Sequence, residues 1–412
     1  MKPLEPGTEA IYNKNIAITA LIGTMASLLL SFFEGSFSPV PIYGGIIFIV
    51  IMFTGYFLTN YLFLNQDTAL LILSCFIAQL GLIMLYRLNP ESAVKQLTWF
   101  GIGVFLFFIS SFASKAWVEI KVGSFYFFTI TVLLLISPLV FGVERWGSKS
   151  WIVFQNFSFQ PSELAKITYS LFLAGSLRNG KIKNQIWFFG QILIILCLLA
   201  AARDLGGAML FYFTAIAIIF AATSRWDFTI LGFIGAGIAG LLGYKLFGHV
   251  RVRAKAWLNP WEDVPGKGYQ IVQSLFALAE GGFFGTGLGL GRPNYIPAVT
   301  TDFIFSAFFE EFGFLGATAL IVVYFLLVYR GIKISLSVKN SFLSLSALSI
   351  TVFFGIQIFT IIGGVIKLIP MTGVTLPFMS YGGSSMVMSF ISLGILNGIK
   401  MRASGGETDA EA

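Results

Sequence analysis

The sequence predicts an all-α polytopic membrane protein of about twelve transmembrane helices with one long extracellular loop. Composition is the first reason: of 412 residues, 57% are hydrophobic and 11% charged, with a mean hydropathy of +0.85. Soluble globular chains carry roughly 25% charged residues, so this chain lacks the polar surface to meet water on all sides. A soluble enzyme, a disordered chain and a disulfide-rich secreted domain are excluded on that ground. The second reason is a succession of apolar runs close to the roughly 20 residues that a membrane span needs. The third is the concentration of polar chemistry in one stretch, 248–304.

Taken in order, the expected spans are 16–33, 42–64, 69–88, 97–112, 124–142, 163–177, 186–201, 205–223, 228–247, 305–329, 342–362 and 379–399. The first reads as a span, because no small-residue cleavage site follows it. Cys75 and Cys197 both lie in apolar runs, which argues against a disulfide, and the single histidine, His249, cannot build a zinc site. With the N-terminus inside, thirteen lysines and arginines fall in cytoplasmic segments against six in the short outer loops. The positive-inside rule then puts both termini in the cytoplasm and 248–304 outside. The net charge of +7 belongs to this bias, with no nucleic acid implied. Trp99, Trp117, Trp146, Trp151, Trp187 and Trp226 fall near span ends, as interfacial anchors do. Glycines 232, 235, 237, 240 and 243 predict a small-residue face for close helix packing.

Ionisable residues at membrane depth are costly and mark candidate sites. Pro161 suits a first helical turn, Glu163 lies where the helix dipole favours an anion, and Lys166, three residues on, shares its face. Asp204 opens the eighth span at the same depth and is expected to meet Lys166. Two compatible readings follow: a buried ion pair fixing helix register, or the wall of a polar cavity opening outward. Asp302 and the pair Glu310-Glu311 are comparable, and only one of two adjacent glutamates can face a cavity squarely. In the long loop, Arg251, Arg253 and Lys255 form a basic patch suited to phosphate or pyrophosphate, or simply to lipid headgroups. Asp263, set among turn formers and cations, is a candidate general base. The glycines of 281–291 permit close backbone approach, but no strand precedes them, so they are no nucleotide-binding fingerprint.

Four blocks resemble the SEDS (shape, elongation, division and sporulation) family of RodA and FtsW. They are Phe159 to Lys166; Asp204-Leu205-Gly206; Asp263 with Gly266 to Gln270 and Gln273-Ser274; and Thr301 to Phe305 with Glu310-Glu311, joined to Thr372–Phe378 and Ser380–Ser385. The resemblance covers 69–412 and implies a ten-span core, leaving 1–68 as a two-helix N-terminal extension. It implies a peptidoglycan glycosyltransferase of the bacterial cytoplasmic membrane that polymerises lipid II at the outer face, alongside a class B penicillin-binding protein and other cell-wall proteins. Asp263 would be the catalytic residue. Glu163, Lys166 and Asp204 would line the polar cavity, and Arg251, Arg253, Lys255, Gln270, Gln273, Ser274, Asp302, Glu310 and Ser380 would serve the substrate. A divalent cation, magnesium or manganese, is an alternative source of positive charge for the leaving group. The chain departs from the family at Ala202-Arg203, where Gln-Pro is common, which places an extra cation at the rim.

The rival class is a lipid flippase or transporter, which would also use intramembrane Glu, Lys and Asp. Transporters often carry inverted repeats, and the two halves show no self-similarity. A non-catalytic scaffold for the penicillin-binding protein is the third reading, and it would be insensitive to Asp263.

Overall fold

Each expected apolar run becomes a helix in the computed structural model, which describes residues 6–32, 37–62, 66–116, 123–145, 147–154, 157–182 and 184–408. The helices are α1 (Pro6–Ser31), α2 (Val40–Leu62), α3 (Thr68–Leu88), α4 (Pro90–Ala116), α5 (Ser124–Phe141), α6 (Pro161–Leu177), α7 (Gln185–Ala201), α8 (Leu205–Thr223) and α9 (Trp226–Leu246), continuing with α10 (Gly248–Leu258), α11 (Tyr269–Gly281), α12 (Ile304–Leu336), α13 (Ser341–Val365) and α14 (Gly383–Thr408). Among the described residues, ten helices are long and apolar enough to cross a membrane, and the molecule is a multi-pass membrane protein. The sixth and seventh of the twelve expected spans are α6 and α7, helices of 17 residues each. Trp117 and Trp146, and residues 1–5, 33–36 and 63–65 of the N-terminal stretch, lie outside the described residues.

Short polar side chains set the helix starts by accepting the first free N–H groups. Asp67 accepts from Ala69 at 3.2 Å, Asn184 from Trp187 at 3.1 Å and Asn340 from Phe342 at 3.0 Å. One buried cluster joins α3, α4, α12, α13 and α14, with α1 and α2 against its α3 side. A second joins α5, α6, α7 and α8. Helix α13 contributes to both, so the seam between the clusters runs along α6 and α13. The candidate site lies on that seam.

Three features depart from the expected layout. A three-stranded antiparallel ribbon, β1 (Val143–Arg145), β2 (Ser148–Phe154) and β3 (Phe157–Phe159), fills the loop between α5 and α6, in the order β1-β2-β3. It bonds to the α7–α8 corner, where Lys149 N–H donates to Ala202 O at 2.9 Å, and it delivers the chain straight into Pro161. The expected glycine face of α9 is only half used. Tyr212 OH donates to Gly232 O at 2.7 Å and Gly235 lies beside the same tyrosine, whereas Gly237 and Gly240 face open space and no residue of α9 is buried.

The third departure is in α12, expected to be a plain helix over 305–329. It runs to Leu336 and breaks at Gly313, whose φ of 66° and ψ of −171° leave the helical region. The loop after α11 fills the break. Phe314 N–H donates to Gly282 O at 2.9 Å and Leu315 N–H to Phe283 O at 3.2 Å, while Thr286 and Gly287 N–H reach Glu310 O and Glu311 O at 2.9 and 3.0 Å. The helical bonds lost at the break are thus replaced by the loop, as irregular backbone at membrane depth requires. Gly313 has to be glycine, because a Cβ there would meet the backbone of 283–285 and its φ is positive.

Candidate functional site

Helix α6 begins at Pro161, so its first turn carries Glu163 and Lys166 on one face. Lys166 Nζ donates to Glu163 Oε1 at 2.8 Å and to Gln357 Oε1 of α13 at 2.9 Å, with Glu163 buried. A cavity of about 20 Å³ lies beside them, bounded by Ser170, Phe353, Phe354 and, on α14, Ser389 and Ser392. That volume admits about one water molecule. A sugar ring cannot enter it in this conformation.

The pair is tied to exposed Arg253 by a chain of polar contacts. Gln357 Nε2 donates to Thr375 O at 2.7 Å, in the segment 366–382 that links α13 to α14. In the same segment Thr372 O accepts from Arg253 Nη1 of α10 at 2.7 Å. A Cβ placed at Gly373 would lie 3.2 Å from the Arg253 guanidinium and 3.5 Å from Asp302 Oδ2, so these two side chains flank the segment. Burial pushes the Asp302 carboxyl above the ordinary carboxylate range, against the opposing pull of its Thr301 hydrogen bond and Arg253.

The expected meeting of Asp204 with Lys166 does not occur. Asp204 Oδ1 instead accepts the Gly207 N–H at 2.8 Å and caps its own helix α8. Burial pushes its carboxyl up as well; the cap and the more distant charge of Lys166 oppose this. The extra cation at the rim, Arg203, is exposed and pairs with Glu144 of β1 at 3.4 Å.

The basic patch of the sequence reading is also divided. On α10, Arg251 and Lys255 share one face, and Arg253 points the other way, toward Thr372. All three are exposed. Asp263 closes the 3-10 turn Pro260–Asp263 after α10 and is exposed, with Oδ2 accepting the Lys267 N–H at 3.1 Å. Gly266 lies directly against this carboxylate, so a side chain there would displace it. Just before the turn, Trp257 of α10 ties that helix to the 366–382 segment, its Nε1–H donating to Lys367 O at 3.1 Å.

Several candidates are structural ties in this arrangement. Glu310 Oε1 accepts the Arg292 N–H; Glu311 accepts the Gly289 N–H at 3.1 Å and pairs with Arg87 at 3.2 Å. Both glutamates therefore secure the loop that fills the α12 break, and neither lines the Lys166 cavity. Ser274 bonds Ser306 at 2.7 Å, pinning α11 to α12, and Ser380 donates to Thr301 O at 2.5 Å. On α11, Gln270 is exposed and Gln273 partly buried. Among the described residues no three His, Cys, Asp or Glu side chains converge, so the donor set does not fit a magnesium or manganese ion caged by the protein alone. Gln357, which no motif singled out, is the residue the sequence reading missed.

The family model of FtsW/RodA/SpoVE cell cycle proteins matches residues 67–405. "Peptidoglycan glycosyltransferase RodA" of Mycobacterium bovis is 34% identical over 360 residues, covering 80% of this chain and 77% of that protein. "Stage V sporulation protein E" of Bacillus subtilis is 38% identical over 361 residues, covering 81% and 96%. A solved structure, described as structural coordination of polymerization and crosslinking by a peptidoglycan synthase complex, superposes with a TM-score of 0.69 at 26% identity, covering 82% of this chain and 99% of that one.

Proposed function

Because the chain belongs to the FtsW/RodA/SpoVE family, we propose that it works as its named relatives do, as a peptidoglycan glycosyltransferase, with lipid II as substrate. The observation that carries this reading is the polar chain from Arg253 through the 372–375 segment and Gln357 to the Lys166–Glu163 pair. It links an exposed cation, Arg253, to a largely buried one, Lys166, and a lipid-linked pyrophosphate would be drawn to the exposed end of that chain.

The acceptor's GlcNAc 4-hydroxyl attacks the anomeric carbon of the lipid-linked MurNAc. A new C–O bond forms with inversion, and the bond to undecaprenyl pyrophosphate breaks. Asp263 takes the hydroxyl proton, which a carboxylate can do from about 3 Å; its exposure leaves it open to a sugar. The leaving pyrophosphate carries negative charge; exposed Arg253 stands where it can offset it, and Lys166, largely buried beside the water-sized cavity, adds its charge only from further in. Because the cavity admits no more than a water molecule, the sugars lie outside it, between α10 and the 366–382 segment. A divalent ion, if used, would be held by the pyrophosphate with a carboxylate such as Asp302.

We further propose that both termini are cytoplasmic, that α6 and α7 span the membrane, and that 1–68 is an extension added to a ten-span core. The family match beginning at residue 67 supports that boundary. A class B penicillin-binding protein is the proposed partner, since the solved neighbour comes from a complex that couples polymerization to crosslinking. Polymerisation of lipid II by the purified Asp263→Asn variant with its partner tests the mechanism: glycan synthesis should fall to background. Near-normal strands would remove Asp263 as base.

A further inference from the structure

We propose that the corner between α9 and α10 is a binding site for the phosphate headgroup of an anionic phospholipid, distinct from the Lys166 cavity. Helix α9 has no buried residue, and its main neighbours are α8 and α10. Its exposed Ile234, Ile238, Leu241 and Leu242 therefore meet acyl chains, and its 21 residues, at about 1.5 Å each, are enough to carry the last turn across the hydrocarbon to headgroup level. Lys245 stands in that last turn, and Arg251 and Lys255 follow just past the bend at Phe247.

These cations are arranged rather than scattered. Arg251 folds back over the end of α9, where its Nη2 donates to Lys245 O at 3.0 Å and its Nε to Tyr244 O at 3.4 Å. Its guanidinium carbon lies 5.8 Å from the centre of the Tyr244 ring. Anchored this way, it keeps its remaining N–H donors for an oxygen-rich ligand. Lys255 is four residues further on the same face of α10. Among the described residues, no carboxylate lies within ion-pair distance of Lys245, Arg251 or Lys255. Leu246 and Leu258, 73% and 67% exposed, flank the cluster with apolar surface. Three unpaired cations above a lipid-facing helix match a phosphate with acyl chains running down α9.

The same phosphate chemistry occurs in the lipid-linked substrate. The fold separates the two, because Arg253 leaves α10 on the opposite face and goes to Thr372, toward the proposed catalytic path. The test uses the full chain in phosphatidylcholine nanodiscs containing graded phosphatidylglycerol, with retained phosphatidylglycerol counted by native mass spectrometry. Arg251→Gln with Lys255→Gln should weaken retention about fivefold for each charge removed, and rising salt should weaken the wild type. Arg251→Lys should keep most of the binding, which separates loss of charge from misfolding, and Arg253→Gln should leave retention unchanged. Equal retention by the double variant and the wild type overturns the proposal. Equal loss in Arg253→Gln overturns it too. If the double variant keeps phosphatidylglycerol but binds lipid II more weakly, the cations serve the substrate and the proposal fails.

Discussion

Lys166 is satisfied from two sides, by Glu163 on its own helix and by Gln357 across the seam. Removing one member of such a buried pair strands the other charge, at roughly 3–5 kcal/mol. Glu163→Gln and Lys166→Met should therefore each lower the thermal midpoint strongly, and the double variant should recover part of the loss. A double-mutant cycle showing no coupling would contradict the pair. Asp204 yields a pH prediction. Its carboxyl is pushed up by burial, so the folded chain holds that proton to higher pH than the unfolded chain does. The stability it contributes is complete in acid and is lost as pH rises through the raised value, from about pH 4 upward. Asp204→Asn keeps an acceptor for the Gly207 N–H, so its thermal midpoint should fall less with rising pH than that of the wild type. The Glu163–Lys166 contact was legible because a spacing of three fixes a shared helix face. The partner of Asp204 was not, because the nearest donors to an aspartate before a helix belong to that helix. Gln357 was hidden as one amide in an apolar run.

At the scale of elements, the break in α12 is the feature with the sharpest test. Gly313→Ala adds a side chain against the loop backbone at a positive φ, a strain of about 1–3 kcal/mol. Cleavage by protease within 282–292 should accelerate and the thermal midpoint should drop; unchanged cleavage would mean that the loop is held elsewhere. The sequence showed glycines on both sides of this junction but not their pairing, because bonds between 282–287 and 310–315 are tertiary. Helix α10 was read as a basic patch in a loop, since its charges alternate instead of following a helical stripe. The ribbon at 143–159 was missed for a different reason. Strands β1 and β3, of three residues each, are too short to show alternation, β2 runs from polar to apolar residues without alternating, and the ribbon's anchor, the α7–α8 corner, is distant in sequence.

For the whole molecule, the twelve apolar runs and their order were plain from hydropathy, because lipid leaves the backbone little choice but helix. Which helices touch was not, since in a bilayer apolar faces do not sort themselves by polarity. The extension illustrates this. Helices α1 and α2 cover α3, whose Gln79 is 3% exposed and fills the space beside Gly23 of α1. A chain lacking residues 1–66 should still polymerise lipid II but unfold at a lower temperature; loss of polymerisation from a well-folded truncated chain would give the extension a part in catalysis. The mended break in α12 has a wider consequence. Lifting the stretch from Gly281 to Gly287 away would strand amides and carbonyls in hydrocarbon, at several kcal/mol for each group. That stretch is accordingly a fixed abutment and not a door. A prenyl tail arriving sideways has to find its opening where a helix leans on few neighbours, and α9 is such a helix.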